Sequence, residues 1–185
     1  SRSDWKVLAL RTFGEVGGTL CFLTALFNMP IANATAILQA LPLVITVGAA
    51  LFLKQTVGWR RYFAVLVGFF GVLVIVRPGV DGFTVYAYWA IAAVIFVTLR
   101  DLVTVKISTH APSLFIALVA AISICIVGGI MSLTEPWKPV SSIDLMLLAA
   151  AASFLIFGYL FAIMAMRVGE IAFVSPFRYT VLLWA

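Results

Sequence analysis

Four long stretches of the sequence contain no charged residue, and this pattern limits the folds that the chain can adopt. The stretches are Val16–Leu53, Gly82–Leu99, Ala111–Thr134 and Leu145–Met166. Hydrophobic residues make up 64% of the chain and charged residues only 10%, whereas a soluble domain carries about 25% charged residues. Such a chain cannot cover a water-facing surface, so we expect it to be surrounded by a lipid bilayer.

Each stretch is long enough for an α-helix to cross a bilayer, which takes roughly 20 apolar residues. Val16–Leu53 must hold two crossings, and we divide it at Pro30 because proline cannot donate a helix hydrogen bond. The strands of membrane barrels alternate apolar and polar residues, and this sequence shows no such alternation. We therefore predict an all-α polytopic membrane protein with seven spans, near residues 8–27, 33–53, 61–77, 84–106, 113–133, 145–166 and 171–185.

Lysine and arginine residues concentrate at one set of predicted span ends, while only Arg77 and Lys138 lie at the opposite ends. The larger group consists of Arg2, Lys6, Lys54, Arg60, Arg61, Lys106 and Arg167. Cytoplasmic loops carry the excess of positive charge, so we place this group in the cytoplasm and the chain in the bacterial inner membrane. The residues that give the net charge of +5 form no single patch, so we expect no nucleic-acid partner.

A weak internal repeat relates the two ends of the chain, because several residues recur 140 positions later. The matching pairs are Leu8-Ala9 with Leu148-Ala149, Gly18 with Gly158, Leu20 with Leu160, Ala25 with Ala165, and Ile31-Ala32 with Ile171-Ala172. In the predicted topology the first span leaves the cytoplasm, whereas its partner, the sixth, returns to it. Repeats of opposite orientation are typical of transporters that bind their substrate near the midplane of the membrane.

Short motifs along the chain can be compared with those of known membrane proteins. They are Ala40-Leu41-Pro42-Leu43, Leu51-Phe52-Leu53-Lys54-Gln55, Gly68-Phe69-Phe70-Gly71-Val72, Arg77-Pro78-Gly79, Ala165-Met166-Arg167-Val168-Gly169-Glu170 and Pro176-Phe177-Arg178-Tyr179. Their order and spacing resemble the EamA-type members of the drug/metabolite transporter superfamily. The family usually has a glutamate where Gln55 stands here, so a charge-pairing role of that position does not carry over.

The resemblance implies an inverted-repeat helical bundle of ten helices in two five-helix repeats, of which about seven are expected in this chain. Residues 1–79 would be the end of the first EamA repeat, with three helices. Residues 80–185 would be an incomplete second repeat, with four helices of which the last is cut. The chain begins with Ser1 and stops at Ala185 within an apolar run, and we expect it to be truncated at both ends.

The resemblance also implies a secondary transporter of small organic solutes or metabolites, working by alternating access. Glycine pairs such as Gly14 and Gly18 let helix backbones approach closely in lipid. A non-transporting membrane scaffold or assembly subunit is therefore the alternative, and a homodimer would be compatible with such faces. The sequence contains no catalytic motif, so we predict no enzyme activity, no catalytic residue, no cofactor and no metal site.

Ionisable residues inside the predicted spans are the candidate substrate-binding residues, because a charge in a membrane helix normally faces a cavity or a partner. Arg178, about seven residues into the last span, is the first candidate, with a structural ion pair as its alternative role. Tyr179 follows it, and Gln39 matches Tyr179 in the repeat. Two polar side chains at matching depths suit a midplane site, although an interhelical hydrogen bond would explain Gln39 equally well.

Four further candidates lie nearer the predicted cytoplasmic ends. Arg11 and Glu15 are four residues apart on the first span, so they share a helix face, where they either line a cavity or simply pair. Arg100 and Asp101 lie in the fourth span, where Arg100 could instead extend to the membrane surface. Adjacent residues point about 100° apart on a helix, so we expect that these two do not face the same cavity.

Overall fold

The computed structural model describes residues 2–55, 58–76, 84–107, 111–133 and 139–175. The helices within these ranges are α1 (Arg2–Asn28), α2 (Ile31–Leu38), α3 (Leu41–Phe52), α4 (Trp59–Val76), α5 (Val85–Thr104), α6 (Ser113–Ser132), α7 (Ser142–Val168) and α8 (Ile171–Val174). The predicted all-α fold is confirmed for this part of the chain.

Within the described part of the chain, five helical segments are long and apolar enough to cross a membrane. They are Trp5–Asn28, Asn33–Phe52, Val85–Thr104, Ser113–Ser132 and Ser142–Val168. These segments coincide with five of the seven predicted spans. The predicted span near 61–77 coincides with α4, a helix of 18 residues. The predicted seventh span begins at α8, and most of its length lies outside the described residues.

The second membrane segment is interrupted at Gln39 and Ala40, which separate α2 from α3. Pro42 is the second residue of α3, and it has no N–H to donate to the carbonyl one turn earlier. The backbone tightens there: the N–H of Ala40 donates to the Ile37 carbonyl at 3.0 Å, three residues back rather than four. The span predicted as one helix is thus two shorter helices.

Among the described helices, α1 and α5 make the most extensive contact, and glycines of α1 make this approach feasible. A Cβ atom on Gly14 would lie 2.9 Å from the Phe96 carbonyl oxygen and 3.0 Å from the Arg100 nitrogen. A Cβ atom on Gly18 would lie 2.9 Å from a methyl group of Val97. The sequence-based prediction that Gly14 and Gly18 allow a close helix contact is therefore confirmed, with α5 as the partner.

Three glycines on α4 and α6 make no such close contact within the described part of the chain. Atoms built at the Cβ positions of Gly71, Gly128 and Gly129 would meet nothing within 4 Å. These glycines lie on α4 and α6, whose large apolar side chains are mostly exposed, as are those of α7. Exposed apolar helix faces are what lipid requires of a membrane protein.

Helix α8 packs against α3 through a buried polar contact. The hydroxyl groups of Thr46 and Ser175 lie 3.1 Å apart, and the Thr46 hydroxyl also donates to the carbonyl of Pro42 at 2.7 Å. Ser175 is fully buried. This contact fixes the start of the last predicted span beside the break between α2 and α3.

Candidate substrate site

Glu15 lies at the centre of a buried ionic cluster between α1 and α5. One of its carboxylate oxygens accepts a hydrogen bond from Arg100 Nη1 at 3.1 Å. The other lies 3.4 Å from Arg11 Nη2, one helical turn earlier on α1. Glu15 thus lies between two guanidinium groups, one from its own helix and one from α5.

Arg100 also links this carboxylate to its own neighbour in the chain. Its Nε atom donates to Asp101 Oδ1 at 2.8 Å. The two side chains nevertheless meet, because the arginine side chain is long enough to bend towards the carboxylate; that they do not face the same cavity stays a prediction. The Arg100 side chain is only 18% exposed, so it turns into the protein rather than out to the membrane surface.

Two uncharged residues complete the cluster, and the sequence analysis missed both. Arg11 Nε donates to the Thr104 hydroxyl at 3.0 Å, and Arg11 Nη2 donates to the Tyr159 hydroxyl at 2.7 Å. The Tyr159 hydroxyl in turn donates to Glu15. The cluster therefore joins three helices, α1, α5 and α7.

The cluster is closed off from its surroundings and balanced in charge. Arg11 is 1% exposed, Asp101 4% and Glu15 8%. Two guanidinium groups face two carboxylates, so the desolvation cost of each charge is offset by a partner. Removing one member would leave its partner buried without compensation, at a cost of about 3–5 kcal/mol.

Arg11 retains unused hydrogen-bonding capacity inside this closed cluster. A guanidinium group has five N–H donors, and the Arg11 donors on Nε and Nη2 are engaged as described. Nη1 is buried and has no hydrogen-bond partner among the described residues. A buried donor without an acceptor costs about 1–3 kcal/mol, so an additional acceptor at Nη1 would be favourable.

The other sequence-predicted candidates lie elsewhere. Gln39 is half-buried at the break between α2 and α3, and its backbone N–H donates to the carbonyls of Thr35 and Ala36. No hydrogen bond joins its side chain to the ionic cluster within the described part of the chain. Arg178 and Tyr179 lie outside the described residues, although Ser175, three positions before Arg178, is buried against α3.

A comparison with known protein families gives one match. The EamA-like transporter family matches residues 1–77, which include α1 to α4. This part of the chain is similar to EamA-like transporters. The resemblance seen in the sequence is thereby confirmed, and the match is to a transporter family rather than to an enzyme family. Together with the membrane-spanning helices, it identifies the chain as a multi-pass membrane protein.

Curated relatives of this chain have metabolites in their names. A riboflavin transporter of Vibrio cholerae is 35% identical over 102 residues, which cover 55% of this chain and 34% of that protein. An S-adenosylmethionine uptake transporter of Rickettsia prowazekii is 26% identical over 153 residues, which cover 81% of this chain and 51% of that protein. This chain therefore spans about half, or less, of the length of these relatives. No solved structure gives a significant match.

Proposed function

We propose that this EamA-type chain belongs to a secondary transporter that moves a small organic metabolite across the bacterial inner membrane by alternating access. The observation that carries the proposal is the ionic cluster of Arg11, Glu15, Arg100 and Asp101, which is buried within membrane-spanning helices. Charges inside a membrane are costly, and they typically mark the path of a substrate or ion.

The relatives support the same class of function. One is named as a riboflavin transporter and another as an S-adenosylmethionine uptake transporter, and both compounds are small polar metabolites with a planar ring system. A polar solute of this kind needs hydrogen-bonding groups in the membrane interior to replace its water. We assign this role to the ionic cluster and to three residues predicted from the sequence, namely Gln39, Arg178 and Tyr179.

The alternative, a non-transporting scaffold, makes different demands on the same residues. A scaffold needs the glycine contact between α1 and α5, but it gains nothing from two extra pairs of buried charges. Replacement of a buried ion pair by apolar residues is often neutral or stabilising. The presence of four charged side chains at this contact therefore favours transport.

The proposal is tested by uptake into liposomes that contain the purified full-length protein. Radiolabelled riboflavin and S-adenosylmethionine are supplied outside, and protein-free liposomes give the background. We expect saturable uptake of a metabolite, which excess unlabelled compound inhibits. The variant Arg60→Gln changes an exposed arginine at the start of α4 and serves as the control, with uptake unchanged.

Two negative results together would favour the scaffold over the transporter. A folded protein that takes up neither compound, and whose thermal stability no metabolite in a broad library raises, would support the scaffold. Ligand binding to the native state raises apparent stability in proportion to the logarithm of ligand concentration. The thermal-shift screen therefore also detects a substrate other than the two tested in uptake.

A further inference from the structure

Tyr159 occupies a position between opposite charges that a polar ligand could take. Its hydroxyl accepts a hydrogen bond from Arg11 Nη2 at 2.7 Å and donates one to Glu15. The Tyr159 hydroxyl oxygen is thus hydrogen-bonded to the Arg11 cation and to the Glu15 anion at the same time. A solute that carries an anionic and a cationic group close together would satisfy both residues with full charges, which make stronger hydrogen bonds than a neutral hydroxyl.

Helix α7 is the element of the cluster that can move away most easily. Helices α1 and α5 pack too closely at Gly14 and Gly18 to admit a Cβ atom without a shift, whereas α7 contributes a single side chain, Tyr159, to the hydrogen bonds of the cluster. The side chains near it on α7 are largely exposed, as Phe157 at 63% and Phe161 at 66% show. Only Ile163 and Met166 of α7 are buried.

The Arg11 guanidinium is already oriented for a ligand at this position. Its Nε atom is fixed to Thr104 on α5, so the two terminal nitrogens point away from that contact. Nη1 has no partner within the described residues, and Nη2 would lose one when Tyr159 leaves. Together these two nitrogens form the planar fork of donors that binds a carboxylate through both of its oxygens.

We propose that Arg11 and Glu15 bind the ionic head group of a zwitterionic solute, and that Tyr159 occupies this site in the closed state. Arg11 takes the anionic group of the solute, and Glu15 takes its cationic group. The inference rests on the proposed function as a transporter and specifies the class of its substrate.

Charge balance favours a zwitterion over an ion of either sign. Arg11 and Arg100 already balance Glu15 and Asp101. A purely anionic or cationic solute would add a net charge to a buried site, where an uncompensated charge is expensive. A zwitterion adds two charges that cancel, and each of them meets a residue of opposite sign.

The test measures binding to the full-length protein in lipid nanodiscs with two matched probes. S-adenosylmethionine carries an amino-acid head group with one ammonium and one carboxylate, and decarboxylated S-adenosylmethionine has the same ring system, sulfonium and ammonium but lacks the carboxylate that Arg11 would bind. We expect the first to bind more tightly than the second by roughly tenfold or more, the size expected for charge-assisted hydrogen bonds. Equal binding of the two probes, or no binding of S-adenosylmethionine, would overturn the proposal.

Variants distinguish a ligand site from a structural ion pair. Arg11→Gln should remove the preference for S-adenosylmethionine, whereas Tyr159→Phe should increase its affinity because the competing hydroxyl is gone. Tyr62→Phe, at an exposed tyrosine of α4, is the matched control and should change neither. A structural role for the cluster predicts the opposite for Tyr159→Phe, with lower stability and no gain in affinity.

Arg11→Lys keeps the test decisive if Arg11→Gln fails to fold. Lysine retains the charge but lacks the planar fork, so the preference for S-adenosylmethionine should fall while the protein still folds. An Arg11→Lys variant with the full preference would overturn the proposal. Transport of riboflavin that is unaffected by Arg11→Lys would also overturn it but leave the proposed function standing. The proposed function is rejected instead if neither compound is taken up and no library metabolite raises the thermal stability.

Discussion

Alanine substitution of glycines on α1 and α6 offers a direct test of the α1–α5 contact. At Gly14 the added methyl group would lie 2.9 Å from the Phe96 carbonyl oxygen and 3.0 Å from the Arg100 nitrogen. Both are backbone atoms, so the two helices would have to separate. Overpacking of this kind costs typically about 1–3 kcal/mol, against a gain of up to about 1 kcal/mol from the higher helix propensity of alanine.

Gly17 and Gly128 complete a graded series. A methyl group added at Gly17 would lie 2.7 Å from the nearest atom of the Phe96 ring. A side chain can turn aside more easily than a backbone can shift. At Gly128 nothing lies within 4 Å, so alanine gains its helix propensity at no packing cost. We therefore expect stability to rank Gly14→Ala below Gly17→Ala, and Gly17→Ala below Gly128→Ala.

The assay is reversible unfolding of the purified protein in mixed detergent micelles, monitored by circular dichroism. The free energy of unfolding of Gly14→Ala and Gly128→Ala should differ by roughly 1–3 kcal/mol, the overpacking cost alone, because both variants share the propensity gain. Gly14→Ala should also weaken the Arg100 contact with Glu15, because Arg100 moves with α5. Equal stability of the two variants would refute the close α1–α5 packing.

Three further predictions concern orientation, the last span and the cluster. Cysteines introduced at Ser142 and Ser108, in a background without the native cysteines, should react with an impermeant thiol reagent on intact cells at Ser142 only; labelling at Ser108 alone would reverse the orientation. Arg178→Lys should weaken transport and Arg178→Ala should weaken it more, with expression retained. If Arg178→Ala fails to fold while Arg178→Lys transports normally, Arg178 is a structural residue. Glu15→Ala should lower the free energy of unfolding by about 3–5 kcal/mol, and a loss below 1 kcal/mol in the same unfolding assay would show that the cluster is not buried.

The positions of the helices could be predicted from the sequence because lipid imposes a simple rule. A membrane helix must be apolar over about 20 residues, and the uncharged stretches satisfy this condition without reference to any other part of the chain. The break at Gln39 was not predicted, although Pro42 was visible. Proline in a membrane helix either bends or interrupts it, and the neighbouring helices decide which.

The cluster was predictable only in part, for a similar reason. Arg11 and Glu15 lie one turn apart, so their pairing follows from helix geometry and is observed. The contribution of Arg100 depends on the contact between α1 and α5. These helices are far apart in the sequence, and only the folded structure brings them together. Tyr159 carries no charge and lies in an apolar run, so nothing in the sequence distinguished it from tyrosines that face lipid.

The α1–α5 contact also constrains how such a protein could alternate its access. Helix α1 lies in residues 1–79 and α5 in residues 80–185, the two segments that the resemblance assigns to different repeats. Alternating access in inverted-repeat transporters proceeds by rocking of one repeat against the other, or by gating movements of individual bundles. Rocking of whole repeats would have to separate Gly14 from Phe96 and Arg100 from Glu15, and so lose both the closest packing and the buried ion pairs. Movement of α7 loses the Tyr159 hydrogen bonds and the packing of Ile163 and Met166, but it keeps the buried ion pairs, so gating around a fixed α1–α5 pair is the less costly route.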